Sequence, residues 1–260
     1  MENCKPVNTP INTNEKLSTE MCPKTENEKE EVSSVPYQSL IGALMWLAAS
    51  TRPDIAFAVS ALSQYNTNFG KQHWIAAKRV LRYLKGTQDY CLVYKRSGKD
   101  LVGYADADWA ANIDDRRSFS GLAFKFAGAA ISWECRKQRT VALSSTEAEY
   151  MALSDSSKEA VHLRSFLQEI LGQLKSTIIY NDNQGAGQLT RNPVFHKRTK
   201  HVDIRHHFIR ELVEEGTISV NYIPTTEMPA DILTKGLSAS KHNTCKTALG
   251  MRLVDQRLTN

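Results

Sequence analysis

The sequence has few cysteines and no long apolar run, and these shortages exclude several classes of protein. Its five cysteines are scattered without a CxxC pair, which argues against a disulfide framework or a zinc site and favours a reducing, intracellular compartment. The longest apolar run, from Leu40 to Ala49, is too short to span a bilayer. Since no charged segment followed by an apolar segment opens the chain, we expect neither a secretory signal nor a membrane partner.

Charge is present but unevenly distributed. The formal net charge is +5, yet residues 1–35 contain seven glutamates and only four lysines, so the rest of the chain carries the basic excess. A basic body suits a polyanionic partner such as a nucleic acid. Because residues 1–35 are also polar and nearly free of aromatics, they are predicted to form a disordered leader or linker.

Residues 36–98 have the pattern of a small helical unit. The segment VPYQSLIGALMWLAAS has helical length, and DIAFAVSALSQY follows Pro53, which suits a helix start. A third segment places apolar residues three and four positions apart between Trp74 and Leu84, and it ends at Gly86. Three helices are therefore predicted before residue 98.

From Leu101 the pattern changes to alternating strands. Three consecutive antiparallel strands are predicted, followed by a long helix over about Thr146–Leu171. A strand, a helix, a strand and a final helix behind Pro229 complete the order βββ-α-β-α-β-α. This order predicts an α/β domain with a mixed sheet over residues 99–238, and we interpret residues 239–260 as a C-terminal tail.

Four acidic residues lie at suggestive places in this domain. Asp106 lies on the first strand, Glu149 near the start of the long helix, Asp182 at the end of the fourth strand, and Asp231 at the start of the last helix. Carboxylates brought to one sheet edge repel each other unless a cation lies among them. Magnesium takes few protein carboxylates and keeps waters for a phosphate group, so the pattern indicates phosphoryl transfer. Taken alone, Asp182 could equally be a turn residue, and Asp231 could be an ordinary acidic residue at a helix start. The prediction of a metal site therefore rests on the four residues together.

Helical geometry separates the two glutamates at the start of the long helix. At about 100° per residue, Glu149 projects into the apolar face near Leu167, whereas Glu147 projects to the opposite side. Ser144 stands three residues before Glu147, which is the spacing of a capping box. A glutamate on the buried face needs a partner, so we assign Glu149 to the site and Glu147 to the cap.

Periodicity does not choose between the first two aspartates. Asp106 and Asp108 alternate to the same face of their strand, so either could point to the site. Asp114 and Asp115 follow an asparagine and precede two arginines, which favours a solvated turn.

Two groups of basic residues are candidates for contacts with nucleic-acid phosphates. The candidates are Arg136, Lys137, Arg139, Lys197, Arg198 and Lys200. The first three lie on the third strand near Trp133 and indicate a groove along a nucleic-acid backbone. For the other three, a phosphate contact and an ordinary solvated loop are equally supported.

Several segments resemble the ribonuclease H domain of copia-type LTR retrotransposon Pol polyproteins: YADADWA, ISWECRKQRTVALSSTEAEYMAL, YNDNQGA, TKHVDIRHHFIRE and YIPTTEMPADILTKGL. This likeness covers about Leu101–Leu237. Upstream, TRPDIAFAVSALSQY and HWIAAKRVLRYLKGT resemble the connection between the reverse transcriptase and that domain, and MENCKPVNTPI resembles the end of the reverse transcriptase.

The resemblance implies a ribonuclease H-like mixed five-stranded sheet with flanking helices. It also implies a D-E-D-D active site formed by Asp106, Glu149, Asp182 and Asp231. The resemblance therefore favours Asp106 over Asp108 as the site residue of the first strand. It also implies two Mg²⁺ ions about 4 Å apart, with Mn²⁺ as the alternative ion. One ion would activate water for in-line attack and the other would stabilise the leaving oxygen. The implied reaction is hydrolysis of the RNA strand of an RNA–DNA hybrid, recognised through its shape and 2′-OH groups.

The resemblance also sets expectations about context. The expected partners are an RNA–DNA hybrid and the rest of a Pol polyprotein, without a small-molecule substrate, in a cytoplasmic virus-like particle or in the nucleus. Since no YxDD motif is present, we expect no reverse transcriptase activity from this chain alone. Many ribonucleases H have a histidine in the loop before the last aspartate, whereas PTTEMP contains none. The alternative is a truncated or domesticated Pol fragment that only binds nucleic acid or serves as a structural remnant.

Overall fold

The structure is a computed structural model that describes residues 1, 3–13, 15–96, 98, 100–172, 174–190 and 200–253, with the backbone alone for 200–206. The helices in these residues are α1 (Glu26–Ser33), α2 (Tyr37–Ser50), α3 (Ala56–Ser63), α4 (Lys71–Lys85), α5 (Ser145–Leu171), α6 (Gln184–Leu189), α7 (Lys200–Glu214) and α8 (Ala239–Ala248). The strands are β1 (Tyr90–Leu92), β2 (Val102–Ala107), β3 (Phe119–Phe126), β4 (Ala129–Lys137), β5 (Thr177–Asn181), β6 (Ile218–Tyr222) and β7 (Met251–Leu253).

A five-stranded mixed sheet with the order β4-β3-β2-β5-β6 forms the centre of the fold. β2, β3 and β4 follow one another along the chain, and each is antiparallel to the next. β5 runs parallel to β2, and β6 runs parallel to β5. The predicted α/β class, with a mixed five-stranded sheet and flanking helices, is therefore confirmed.

Alternation along β3 supplies side chains to two cores, one on each face of the sheet. Leu122 and Phe124 are buried in a core with residues of α5 and α7. Ala123, between them, is buried in a second core with residues of α2, α3 and α4. Because successive side chains of a strand point to opposite faces, this pattern places the helical unit on one face and the long helix on the other. Trp133 of β4 adds a hydrogen bond between the sheet and the helical unit, since its Nε1 donates to the carbonyl oxygen of Ala48 in α2 at 2.7 Å.

The three helices predicted before residue 98 are present as α2, α3 and α4. Pro53 begins a 3₁₀ turn, Pro53–Ile55, directly before α3. A buried ion pair holds this turn, with Arg52 Nη2 2.7 Å from Asp54 Oδ2. The hydroxyl of Tyr83 on α4 also donates to Asp54 Oδ2, at 2.5 Å. A charge buried at this depth needs such partners, and they fix α3 against α4.

Residues 1–35 differ from the disordered leader that their composition predicted. Ile11 and Leu17 are buried in the core that contains α2, α3 and α4. The backbone N–H and the hydroxyl of Thr19 donate to the carboxylate of Asp114, at 3.0 and 2.8 Å. The composition of residues 1–35 is an average over the whole segment, so it does not reveal single apolar residues such as Ile11 and Leu17 that pack into the core.

The predicted C-terminal tail also differs from the structure over its described part. Residues 239–253 form α8 and then β7, which pairs with β1 in an antiparallel ladder. Cys245 and Leu249 are buried in the core that contains α2, α3 and α4. The division of the chain into separate domains at residues 35, 98 and 238 remains a prediction.

The remaining differences concern short helices. The helix predicted behind Pro229 is only a 3₁₀ segment, Pro229–Leu233, and α6 falls where no helix was predicted. α6 begins at an asparagine cap, because Asn183 Oδ1 accepts from Ala186 N at 2.9 Å. None of the helices in the described part of the chain combines the length and apolar content needed to cross a membrane.

Candidate metal centre

Parallel pairing of β2 with β5 brings two of the predicted site residues together. The ladder pairs Tyr104 with Tyr180, so two residues further along Asp106 and Asp182 lie at the same level of the sheet. Asp231 reaches them from the 3₁₀ segment that follows β6. One carboxylate oxygen from each of Asp106, Asp182 and Asp231 lies within 4.8 Å of the other two. The structure thus brings three of the four predicted site residues to one point.

A glycine opposite Asp106 allows the third carboxylate to approach the sheet. Gly121 of β3 is paired in register with Asp106. A Cβ atom at position 121 would lie 2.8 Å from Leu233 Cβ and 2.8 Å from Thr234 Cγ2, closer than such atoms can pack. The hydroxyl of Thr234 donates to Asp106 Oδ2, so the segment that contains Asp231 is also bonded to Asp106.

Glu149, the fourth predicted site residue, is buried beside this cluster without belonging to the group within 4.8 Å. Its Oε2 accepts a hydrogen bond from Asn181 Nδ2 at 2.9 Å. Burial, together with the charges of Asp106 and Asp182, raises the pKa of Glu149 to about 9. The carboxyl is therefore close enough to the cluster to be repelled by it.

Glu147 lies at the N-terminal cap of α5, as its spacing from Ser144 predicted. Its backbone N–H donates to Ser144 Oγ at 3.1 Å, and its Oε2 accepts from Leu143 N at 2.7 Å. Glu147 therefore makes contacts of the helix cap and Glu149 is buried, while a role of Glu149 at the site remains a prediction.

The three clustered aspartates fit a divalent cation. Asp106 is 1% exposed, and its Oδ1 has no hydrogen-bond partner among the residues that the structure describes. Burial is the main reason that the pKa of Asp106 is raised to about 6, and repulsion from Asp231 and Asp182 adds to this effect. The positive charge of Lys235 and the hydrogen bond from the Thr234 hydroxyl lower the pKa of Asp106 and offset part of the rise. An unsatisfied buried carboxylate oxygen is costly, and oxygen ligands from carboxylates are those that Mg²⁺ and Mn²⁺ prefer.

Two lysines contact the cluster, and neither was predicted from the sequence. Lys235 Nζ lies 2.7 Å from Asp231 Oδ1 and 3.4 Å from Asp106 Oδ2. Lys241 Nζ lies 3.1 Å from Asp231 Oδ2. The spacing of four residues from Asp231 was an available signal for Lys235, whereas Lys241 lies in the part of the chain that was interpreted as a tail.

Asp108 has a structural partner of its own. Its Oδ1 accepts from the backbone N–H of Phe119, the first residue of β3. Burial is the main reason that the pKa of Asp108 is raised to about 7. Asp114 and Asp115 lie in a turn, as predicted, and Asp115 Oδ2 is 2.8 Å from Lys137 Nζ.

The basic residues of β4 and its end line a cavity of about 440 Å³ between β4 and α5. Arg136 is paired with acidic neighbours, with Nε 3.1 Å from Glu134 Oε1 and Nη2 3.4 Å from Asp155 Oδ2. Arg139 lines the same cavity and is exposed. A phosphate would have to compete with the carboxylates for Arg136, so contact with nucleic acid at this surface remains a prediction.

The second group of basic residues lies mostly outside the described residues. Lys197 and Arg198 lie outside the described residues, and Lys200 is the first residue of α7, with only its backbone described.

Comparison with known proteins gives relatives over most of the chain. It is 47% identical over 251 residues to the retrovirus-related Pol polyprotein from transposon TNT 1-94 of Nicotiana tabacum, covering 96% of this chain and 19% of that protein. The Pol polyprotein from transposon RE2 of Arabidopsis thaliana is 42% identical over 240 residues, which is 92% of this chain and 16% of that protein. The chain thus spans less than a fifth of the length of these relatives.

A shorter relative matches over nearly all of its own length. The protein named secreted RxLR effector protein 161 of Plasmopara viticola is 56% identical over 133 residues, covering 51% of this chain and 94% of that protein. No protein-family model matches the chain. Among solved structures, ribonuclease H1 of Halobacterium salinarum is 17% identical with a TM-score of 0.39, covering 52% of this chain and 95% of that one.

Proposed function

Because the chain belongs to the family of copia-type retrotransposon Pol polyproteins, we propose that it is a metal-dependent endonuclease that hydrolyses the RNA strand of RNA–DNA hybrids. The observation that carries the proposal is the convergence of Asp106, Asp182 and Asp231 within 4.8 Å. These residues come from β2, the end of β5 and the segment after β6, so only the folded sheet brings them together.

Asp106, Asp182 and Asp231 would hold the cation, with Glu149 as the fourth carboxylate. A divalent cation at such a site supplies positive charge that activates water and stabilises the leaving oxygen of a phosphodiester. Asp106 contributes a buried oxygen with no hydrogen-bond partner among the described residues. Glu149 is held toward the cluster by Asn181, whose Nδ2 also donates to the carbonyl oxygen of Ala105 at 3.0 Å.

Substrate selection would depend on the surface around this centre. A hybrid has 2′-OH groups on one strand only, and a protein that contacts them distinguishes RNA from DNA at the cut position. We propose Arg136, Lys137 and Arg139 as contacts to the hybrid backbone, together with Lys197, Arg198 and Lys200. As a segment of a Pol polyprotein, the chain would act beside a reverse transcriptase that produces the hybrid, inside a virus-like particle or in the nucleus.

The test is cleavage of a labelled RNA–DNA hybrid by the purified chain in Mg²⁺, beside Asp182→Asn. The parent is expected to cut the RNA strand and to leave an all-DNA duplex intact, and chelation of the cation is expected to stop the reaction. Asp182→Asn removes one charge with almost no change in shape and is expected not to cut. If the folded parent does not cut, the non-catalytic alternative is favoured.

A further inference from the structure

Lys241 is bonded to three acceptors at the edge of the metal centre. Its Nζ lies 3.1 Å from Asp231 Oδ2, and it donates to the carbonyl oxygens of Thr225 at 2.5 Å and Thr226 at 2.8 Å. An ammonium group has three donors, so these contacts occupy all of them. The side chain is 23% exposed, which limits the competition from water.

The loop that Lys241 contacts is also bonded to a second carboxylate of the cluster. Thr225 Oγ1 donates to Asp182 Oδ2 at 2.6 Å. One short loop therefore joins Asp231, through Lys241, to Asp182, through the Thr225 hydroxyl. The loop makes these contacts through two backbone carbonyl oxygens and one threonine hydroxyl.

α8 is attached firmly to the helical unit, so Lys241 is presented from a fixed base. The buried ring of His242 contacts the carbonyl oxygen of Asp54 through Nε2 at 3.1 Å. Lys246 Nζ lies 3.6 Å from the ring centroid of Tyr90. These contacts join both ends of α8 to the helical unit through residues outside the carboxylate cluster.

We propose that Lys241 is a positioning residue for the metal centre, which orients the Asp231 carboxylate directly and the Asp182 carboxylate through the loop at Thr225. The inference rests on the proposed function in one respect, namely that the three aspartates bind a divalent cation. Groups that orient metal ligands in this way change affinity by about 10–100-fold when they are removed. A simple counter-ion would have the opposite effect, because removing its positive charge would strengthen cation binding.

The experiment measures Mn²⁺ affinity by calorimetric titration of the full chain without nucleic acid. Lys241→Met keeps the length of the side chain and removes its donors, and we expect it to weaken Mn²⁺ binding by about 10-fold or more. Lys246→Met is the matched control, since it makes the same change on the same helix away from the carboxylates. It is expected to lower Tm through the loss of the Tyr90 contact and to leave Mn²⁺ affinity unchanged.

Thr225→Val tests the other half of the connection, with α8 intact. It is expected to weaken Mn²⁺ binding as well, and the double variant with Lys241→Met is expected to lose less than the two single effects combined, because both act through one loop. If Lys241→Met does not fold, weakened binding by Thr225→Val sustains the connection and unchanged binding by it overturns the proposal.

The outcomes separate this inference from the proposed function. Unchanged or tighter Mn²⁺ binding by folded Lys241→Met overturns the positioning role. Absence of Mn²⁺ binding to the parent overturns both the metal centre and the inference. If the parent binds Mn²⁺ and Lys241→Met weakens it, but the parent does not cut the hybrid, then the inference stands and the proposed nuclease function fails.

Discussion

Asp106 and Gly121 face each other across the β2–β3 ladder, and the absence of a side chain at Gly121 is what admits the third carboxylate to the site. Leu233 and Thr234 occupy the space that a Cβ atom would need. They lie at the C-terminal end of the segment that contains Asp231, where the Thr234 hydroxyl donates to Asp106. The position of Asp231 therefore depends on Gly121 of β3, which contributes no atom to the carboxylate cluster.

Gly121→Ala should separate Asp231 from the other carboxylates. The added methyl group would meet two side-chain carbons at 2.8 Å, so the 3₁₀ segment must move away from the sheet. We expect the free energy of unfolding to fall by about 1–3 kcal/mol and Mn²⁺ binding to weaken. Denaturant unfolding and calorimetric titration measure the two effects.

The control for this change is Gly42→Ala. Gly42 lies within α2, and a Cβ there would meet nothing within 4 Å. Alanine at such a helical position is expected to stabilise the fold by about 0.5–1 kcal/mol, with no effect on Mn²⁺ binding. Equal Mn²⁺ affinities for the parent and Gly121→Ala would show that the close approach at Gly121 is unrelated to the site.

Asp106→Asn should raise Tm in the absence of a cation and remove the stabilisation that a cation provides. Burial raises the pKa of Asp106 from its ordinary 3.8 to about 6, so the charged carboxylate destabilises the folded state above that pH. The penalty disappears as the pH falls through the folded pKa toward the unfolded one. The gain in Tm over the parent is thus expected to be larger at about pH 8 than at about pH 5.

The same variant reports on the ligand set. Mn²⁺ is expected to raise the Tm of the parent, because a ligand that binds only the folded state stabilises it, and to leave the Tm of Asp106→Asn unchanged. Thermal scans with and without Mn²⁺ measure both effects. Equal stabilisation of the two proteins by Mn²⁺ would remove Asp106 from the ligand set.

Glu149→Gln and Glu147→Gln should have different effects on cleavage. With a pKa of about 9, the carboxyl of Glu149 is neutral at pH 7 in the absence of a cation, so an isosteric amide is expected to leave Tm almost unchanged. Cleavage of the hybrid is expected to fall by about 100-fold. Glu147→Gln changes only the cap of α5, so cleavage should remain at the parent rate. The reverse pattern would show that Glu147 is the site residue.

Sequence periodicity predicted the parts of this fold that depend on local pattern. The three consecutive antiparallel strands β2, β3 and β4 and the position of Glu149 on the buried side of α5 follow from the repeats of a strand and a helix. The choice between Asp106 and Asp108 did not follow, because residues two apart on a strand share a face. The pairing of β2 with β5, which sets Asp106 level with Asp182, connects segments more than 70 residues apart.

Contacts between distant segments also explain what sequence analysis missed. Lys241 meets Asp231 only because α8 is attached to the helical unit through His242 and Asp54, which are 188 residues apart. No local pattern around Lys241 distinguishes it from an ordinary helix-surface lysine. Contacts of this kind are set by the three-dimensional arrangement, and a single sequence contains no direct signal for them.

Leu17→Ala should destabilise the whole domain, although it lies in the segment that composition predicted to be disordered. Leu17 is 7% exposed, and it is buried in the core that contains α2, α3 and α4. Truncation of a buried leucine costs about 2–5 kcal/mol, so the midpoint of denaturant unfolding should fall without a change in the slope of the transition. Leu143→Ala is the matched control, because Leu143 is 83% exposed and its truncation should leave the midpoint unchanged. If the two variants unfold at the same denaturant concentration, residues 1–35 do not contribute to the stability of the fold in solution.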